Sequence, residues 1–141
     1  MKKFLITGGA GFIASALAEK LAHDPKNEIV IVDNLQTGWM QNIPPGKYEN
    51  VKFIKADVNR FKDISAVFFA YKFDCVFHYA ATVGVQRTLN NPVMVLNDIK
   101  GIRNILDLSK NTGVKRVLYS SSSEVYGEPV ETPQNEETTP L

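Results

Sequence analysis

Two stretches of this 141-residue chain combine residue types that suit chemistry. The first is Gly8-Gly9-Ala10-Gly11, set between the apolar run Phe4-Leu5-Ile6 and an apolar stretch running from Phe12 to Ala18. That order reads as strand, glycine turn, helix. It gathers backbone N–H groups and the positive end of a helix dipole at one point, which suits a phosphate. Gly8 and Gly11 lack a Cβ where a backbone must approach a pyrophosphate, and Ala14 is the third small residue, where the first helix packs on the sheet. The second stretch is Ser120-Ser121-Ser122-Ser123-Glu124-Val125-Tyr126-Gly127. Its hydroxyls can bind a substrate oxygen and Glu124 can move a proton. Equally, it can be a polar turn whose serines bond the backbone. The residues alone leave both readings open.

Carboxylates mark two further points. Asp33 closes a β-branched run, where it can accept bonds from the hydroxyls of an adenosine ribose and repel a 2′-phosphate. No Lys or Arg follows before Lys47, which favours NAD over NADP. Asp57-Val58 closes the next run and either edges an adenine or caps the turn before Arg60. His78 lies among the strand residues Val76, Phe77 and Tyr79, so it reads as a satisfied core histidine rather than a general base. His23 falls at a helix end. Neither histidine has partners at metal-ligand spacing, and no metal site is expected. The single cysteine, Cys75, reads as a small buried residue.

The elements that must position these residues follow from periodicity. Strands are predicted at Lys2–Thr7, Glu28–Asp33, Val51–Ala56, Asp74–Ala81 and Lys115–Ser121. Helices are predicted at Phe12–Ala22 and Asp63–Ala70, with one long helix from Pro92 to about Asn111, stopped by Gly113. Asn34–Asn50 and Thr82–Asn91 read as loops, the first holding Trp39 and Met40. No element is predicted from Gly127 to Leu141. Strands alternating with helices imply an α/β fold, a doubly wound parallel sheet with strand order 3-2-1-4-5. Thr7-Gly8, Asp33, Asp57, Ala80-Ala81 and Ser120–Ser123 then all fall at the carboxyl ends of strands, where such sheets bind ligands.

Composition narrows the classes. With 44% hydrophobic and 22% charged residues, the chain reads as one soluble globular domain. A net charge of +1 without a basic cluster gives no reason to expect nucleic acid. No apolar run reaches membrane-helix length, so no membrane span is expected. Met1-Lys2-Lys3 before an apolar run imitates a secretory signal, but Thr7-Gly8-Gly9 interrupts it, and a cytoplasmic protein is the expectation. No Gly-Lys-Ser/Thr follows the glycines, which argues against a nucleoside-triphosphate enzyme. A methyltransferase has no use for the serine-glutamate stretch.

Four motifs in order carry a resemblance: Thr7-Gly8-Gly9-Ala10-Gly11-Phe12-Ile13, Val32-Asp33-Asn34-Leu35-Gln36-Thr37-Gly38, His78-Tyr79-Ala80-Ala81 and Ser121-Ser122-Ser123-Glu124-Val125-Tyr126-Gly127. Together they resemble the extended short-chain dehydrogenase/reductase family, the NAD-dependent sugar-nucleotide epimerases and dehydratases, across essentially the whole chain. The resemblance implies a Rossmann-like NAD-binding domain over residues 1–141 and a cofactor that oxidises a sugar carbon transiently. Gly8, Gly11, Phe12 and Ile13 would hold the pyrophosphate. Asp33, Asn34 and Leu35 would hold the adenosine ribose, and Asp57 and Val58 the adenine. Tyr79, Ala80, Ala81 and Ser120 would line the rest of the cofactor. Ser122 matches the catalytic Ser/Thr that bonds the sugar hydroxyl, and Ser123-Glu124 the pair of the dehydratase and decarboxylase branches. The Gly84-Val85 loop would face a nucleotide-sugar substrate.

Ala14, Asp98 and Ile102 depart from the family's usual Gly, Asn and Thr. The family's Tyr-x-x-x-Lys is absent after Tyr126, and the match from Tyr48 to Lys52 enters a strand and reads as chance. The expectation is therefore the amino-terminal portion of a longer isomerase or lyase, truncated before its sugar-nucleotide part. It would bind NAD without turning over alone. A stand-alone NAD-binding or redox-sensing module is the alternative. Homodimers formed through helices of this half also belong to the resemblance.

Overall fold

A computed structural model describes residues 1–44, 46, 48–128 and 132–137, the side chain of Ser123 excepted. Pro45 and Lys47 of the first loop, and residues 129–131 and 138–141 of the Pro- and Glu-rich tail, lie outside the described residues.

Five strands form one parallel sheet: β1 (Lys2–Thr7), β2 (Asn27–Asp33), β3 (Val51–Lys55), β4 (Cys75–His78) and β5 (Arg116–Tyr119). Their order is β3-β2-β1-β4-β5, the doubly wound order expected from the alternation of elements. In the centre, Thr7 pairs with Val32 on one side and His78 on the other. The three strand ends that matter for a ligand are therefore level.

The β-branched runs are continuous because the sheet is covered on both faces. Successive side chains of a strand point to opposite faces. Leu5, Val30, Val32 and Val76 join one buried cluster with Ile64, Val67 and Phe68 of α2 (Phe61–Ala70) and Ile105 and Leu108 of α5 (Asp98–Thr112). Ile6, Ile29 and Ile31 join the other with Ala14, Ala18 and Ala22 of α1 (Phe12–Ala22). An alanine every fourth residue lets α1 lie close on the sheet, which seats its first turn beside the end of β1.

Helix α5 ends at Gly113, whose φ of 78° is the left-handed conformation that favours glycine at a helix stop. Its Gly101 is also packed tightly, for a Cβ there would lie 2.5 Å from Asn59 Oδ1.

The second half corrects four expectations. Thr82–Asn91 is not all loop: α3 (Val85–Asn90) starts after Gly84, whose φ is 110°. None of its residues is buried, so its sequence carries no apolar periodicity to reveal it. The long helix is two helices. A short α4 (Pro92–Leu96), capped by the Asn91 side chain on Met94 N–H, stops before α5 begins. The Lys100 N–H bonds the Asn97 carbonyl in a tight turn at the junction. Strands β4 and β5 end earlier than the apolar runs suggested, because Tyr79 onward and Ser120 onward turn away from the ladder. Cys75 is half-buried rather than buried, and burial pushes its thiol upward. Among the described residues no helix is long and apolar enough to cross a membrane.

Candidate functional site

The carboxyl ends of β1, β2, β3 and β4 open onto one cleft. Gly8, Gly11, Asp33, Asn34, Asp57, Val58, Tyr79, Ala80 and Ala81 line it, nine of the residues that sequence reasoning singled out. The cleft encloses about 140 Å³ and is open to solvent at its mouth.

The glycine turn is built by close approach. Gly8 has φ 68°, and a Cβ there would fall 2.7 Å from Ala80 N and 2.8 Å from the Tyr79 carbonyl carbon. Gly9 is held against Ile31. Gly11 is less tightly held. A Cβ there would meet only Gly8 O, at 3.1 Å, and would fit if that carbonyl gave by a few tenths of an ångström. The space it leaves belongs to the cleft. Gly11 is also the N-cap of α1 and offers no capping side chain. The first N–H groups of α1, those of Phe12 and Ile13, thus have no intrahelical acceptor. The side chains of Phe12 and Ile13 stand in solvent, so only their backbones serve this end.

Asp33 is buried at the end of β2. Its Oδ2 accepts the Ala10 N–H at 3.0 Å and its Oδ1 the Leu35 N–H at 2.7 Å. A carboxylate has about four lone-pair sites, so acceptor capacity remains for two hydroxyls. Leu35 takes φ 62°, a left-handed conformation that is costly for a branched side chain. Asn34 accepts the Gln36 N–H. Asp57 accepts the Asn59 N–H at 2.9 Å, while the Val58 side chain belongs to the core.

Sequence reasoning missed Asn59, Thr82 and Gly38, and read Asp98 only as a departure; all four line the cleft. Asp98 opens α5 and accepts hydrogen bonds from the Thr82 N–H, the Thr82 hydroxyl and the Asn59 amide. The cleft thus holds three carboxylates, Asp33, Asp57 and Asp98, with no Lys or Arg among its lining residues. An anionic group entering it would be met by backbone N–H groups and not by cations.

The serine stretch lies elsewhere. Ser120 reaches back to the sheet through its N–H to the His78 carbonyl, and its hydroxyl bonds Ser121 O. Ser122 caps a 3-10 turn at Ser123–Tyr126, accepting the Glu124 N–H at 3.2 Å. Ser120, Ser122 and Glu124 are exposed and line no part of the cleft. The Ser123 side chain lies outside the described residues. Trp39 and Met40 are exposed as well, although the Trp39 N–H donates to Ala10 O.

His78 is only half satisfied. Its Nδ1 lies 2.6 Å from Thr7 Oγ1, and its Nε2 is buried with no partner among the described residues. Burial lowers its pKa to about 4, and nearby Asp98 opposes that shift. Among the described residues no group of three or more His, Cys, Asp or Glu side chains is placed to hold a metal ion.

Comparison with known proteins agrees with this layout. A family model described as the NAD dependent epimerase/dehydratase family matches residues 4–141. The chain is 37% identical over 134 residues to UDP-glucuronate 4-epimerase of Thermodesulfobacterium geofontis (strain OPF15), covering 89% of this chain and 41% of that protein. It is 37% identical over 138 residues to UDP-glucuronic acid decarboxylase 1 of Danio rerio, covering 96% and 31%. Among solved structures it is similar to the Thermus thermophilus UDP-glucose 4-epimerase complex with NAD, with TM-score 0.84 and 31% identity, over 98% of this chain and 43% of the other. The chain therefore spans well under half the length of these relatives.

Proposed function

The chain belongs to the NAD dependent epimerase/dehydratase family, and from that premise we propose that it is the NAD-seating portion of an enzyme that acts on a nucleotide-linked sugar. The observation that carries this reading is the convergence of Gly8, Gly11, Asp33, Asp57 and Ala80-Ala81 on one cleft at the carboxyl ends of the strands. The residues fit the cofactor. Gly11 leaves room that the fold does not need, the first turn of α1 offers free N–H groups to a pyrophosphate, and Asp33 keeps acceptor capacity for the adenosine ribose. Asn34 and Leu35 flank that carboxylate, and Asp57 and Val58 edge the adenine.

When bound, NAD would take a hydride from a sugar carbon and return it within one catalytic cycle. The chain's own residues do the rest of the holding. Tyr79, Ala80 and Ala81 wall the cofactor beyond the pyrophosphate. Ser120, beyond the cleft, would border the cofactor's far end. Ser122 bonds the sugar hydroxyl that is oxidised, releasing the Glu124 N–H it now accepts. Glu124, exposed beside it, serves together with Ser123 in the branches that dehydrate or decarboxylate, where the carboxylate accepts a proton. The relatives extend well past the length this chain spans, and we assign the sugar-nucleotide pocket and the Tyr-x-x-x-Lys pair to that additional part.

Calorimetric titration with NAD and NADP tests the reading. NAD binds, and NADP binds at least about tenfold more weakly, because its 2′-phosphate meets the Asp33 carboxylate. Absence of heat with either cofactor removes the proposal. Tighter binding of NADP removes the role given to Asp33.

A further inference from the structure

His78 is a buried, titratable side chain that the cofactor seat has not used. It is 2% exposed, and Thr7, its hydrogen-bond partner, is fully buried. Thr7 is the last residue of β1 and leads directly into the Gly8 turn. Its Oγ1 also lies 3.4 Å from the Ala80 N–H, and its carbonyl accepts the Tyr79 N–H at 3.1 Å. Gly8 rests on the same Tyr79–Ala80 backbone, with no space between them for a Cβ. One buried hydroxyl therefore connects the glycine turn, the end of β4 and an imidazole.

The chemistry of this chain of bonds holds for either histidine tautomer. A threonine hydroxyl has one proton and two lone pairs. Accepting from Ala80 N–H, it can still donate to an unprotonated Nδ1 or accept from a protonated one. In both cases Nε2 has no partner among the described residues. An unsatisfied buried ring nitrogen is costly, and an apolar side chain facing Tyr119, whose ring lies 5.7 Å away, would avoid that cost. Packing alone gives no reason for histidine at this place; orientation of Thr7 does.

We propose that His78 is a positioning residue for the cofactor: through Thr7 Oγ1 it fixes the Thr7 rotamer and holds Gly8 against Ala80 at the height where the turn receives a pyrophosphate. This rests on the glycine turn being a dinucleotide seat. His78 touches neither cofactor nor substrate, and acts only through Thr7.

The test compares NAD and adenosine affinities of the full-length chain with those of Thr7→Val, Thr7→Ser, His78→Phe, His78→Asn and the Thr7→Val/His78→Phe double variant, with unfolding followed in parallel. Thr7→Val and His78→Phe each weaken NAD binding about tenfold, the scale of one lost buried hydrogen bond. The double variant is no weaker than the weaker single one, because both break one link. Thr7→Ser and His78→Asn, which keep a bonding group in place, stay within about threefold of wild type. Adenosine, which lacks the pyrophosphate, binds every variant as it binds wild type. A wild-type chain that binds no NAD removes the dinucleotide seat itself. A wild-type chain that binds NAD overturns this inference alone if Thr7→Val and His78→Phe bind NAD equally well, if their effects add, or if adenosine affinity falls in step. Failure of Thr7→Val and His78→Phe to fold assigns the link to the fold and overturns it as well.

Discussion

The end of β1 and the end of β5 hold the two polar stretches of this chain, and they are built in opposite ways. At β1 the framework groups are held by packing and hydrogen bonds. Thr7 is fully buried, Gly8 is pressed on Ala80, and Asp33 is tied to Ala10 and Leu35. At β5 the strand is an edge, Tyr119 is 58% exposed, and Ser122 and Glu124 hold little beyond their own turn. The difference teaches where precision resides. The cleft end is shaped by this chain's own packing. The serine end has the residue types but not the surroundings that would fix their rotamers.

Substitution at Gly8 should give the largest contrast. Gly8→Val places a branched side chain at φ 68° and against backbone, and should cost roughly 3 kcal/mol or more in urea unfolding. Val125→Ala in the exposed stretch should stay within about 0.5 kcal/mol. Equal losses would dissolve the contrast.

Acid separates the two ends next. His78 has a folded pKa of about 4 against an ordinary value of 6.5, so the unfolded chain binds the proton more readily between those values. Its contribution is fully present above pH 6.5 and is lost as pH falls toward 4, by on the order of 3 kcal/mol. The groups facing it are Thr7 from β1, Tyr119 from β5 and Asp98 from α5, and of these only Asp98 favours the protonated ring. Glu28, whose carboxyl Lys3 and Lys52 hold below its usual value, sheds stability only at lower pH. The slope between pH 6.5 and 4 should therefore flatten in His78→Asn while the acid limb remains.

A sharper contrast comes from Gly11→Ala. Its Cβ asks Gly8 O to give by only a few tenths of an ångström, so unfolding should move by about 1 kcal/mol or less, while NAD affinity falls about tenfold or more because the methyl group occupies the pyrophosphate's space. Ser122→Ala is the smallest. It removes one exposed cap, costs about 0.5 kcal/mol or less, and should leave NAD affinity within about twofold of wild type.

The same division governs what the sequence discloses. Elements packed into the core, such as β1 and β2 on two faces and α1 on one, write their periodicity into the residues, and their bounds are legible to within a residue. Helix α3 buries nothing, so only Gly84 hints at it. The α4–α5 junction is likewise silent, because Asn97 keeps helical angles through the turn. The cleft's glycines and Asp33 are visible as residue types at strand ends. Asp98 and Asn59 are not, because their role depends on α5 packing onto the loop after β3 closely enough that Gly101 abuts Asn59. The Thr7–His78 bond joins positions 71 apart, a distance over which local pattern carries no information.

That separation also sets an order of events during synthesis. The glycine turn leaves the ribosome well before β4, and its strand gains its second neighbour only at Cys75–His78. Until residues 78–80 emerge, Thr7 and Gly8 have only β2 beside them, and the Tyr79–Ala80 backbone that backs the turn is missing. The earliest-made part of the cofactor seat is thus completed by later-made residues. A nascent chain arrested before them should hold no NAD, and cofactor capture reports that the centre of the sheet has closed.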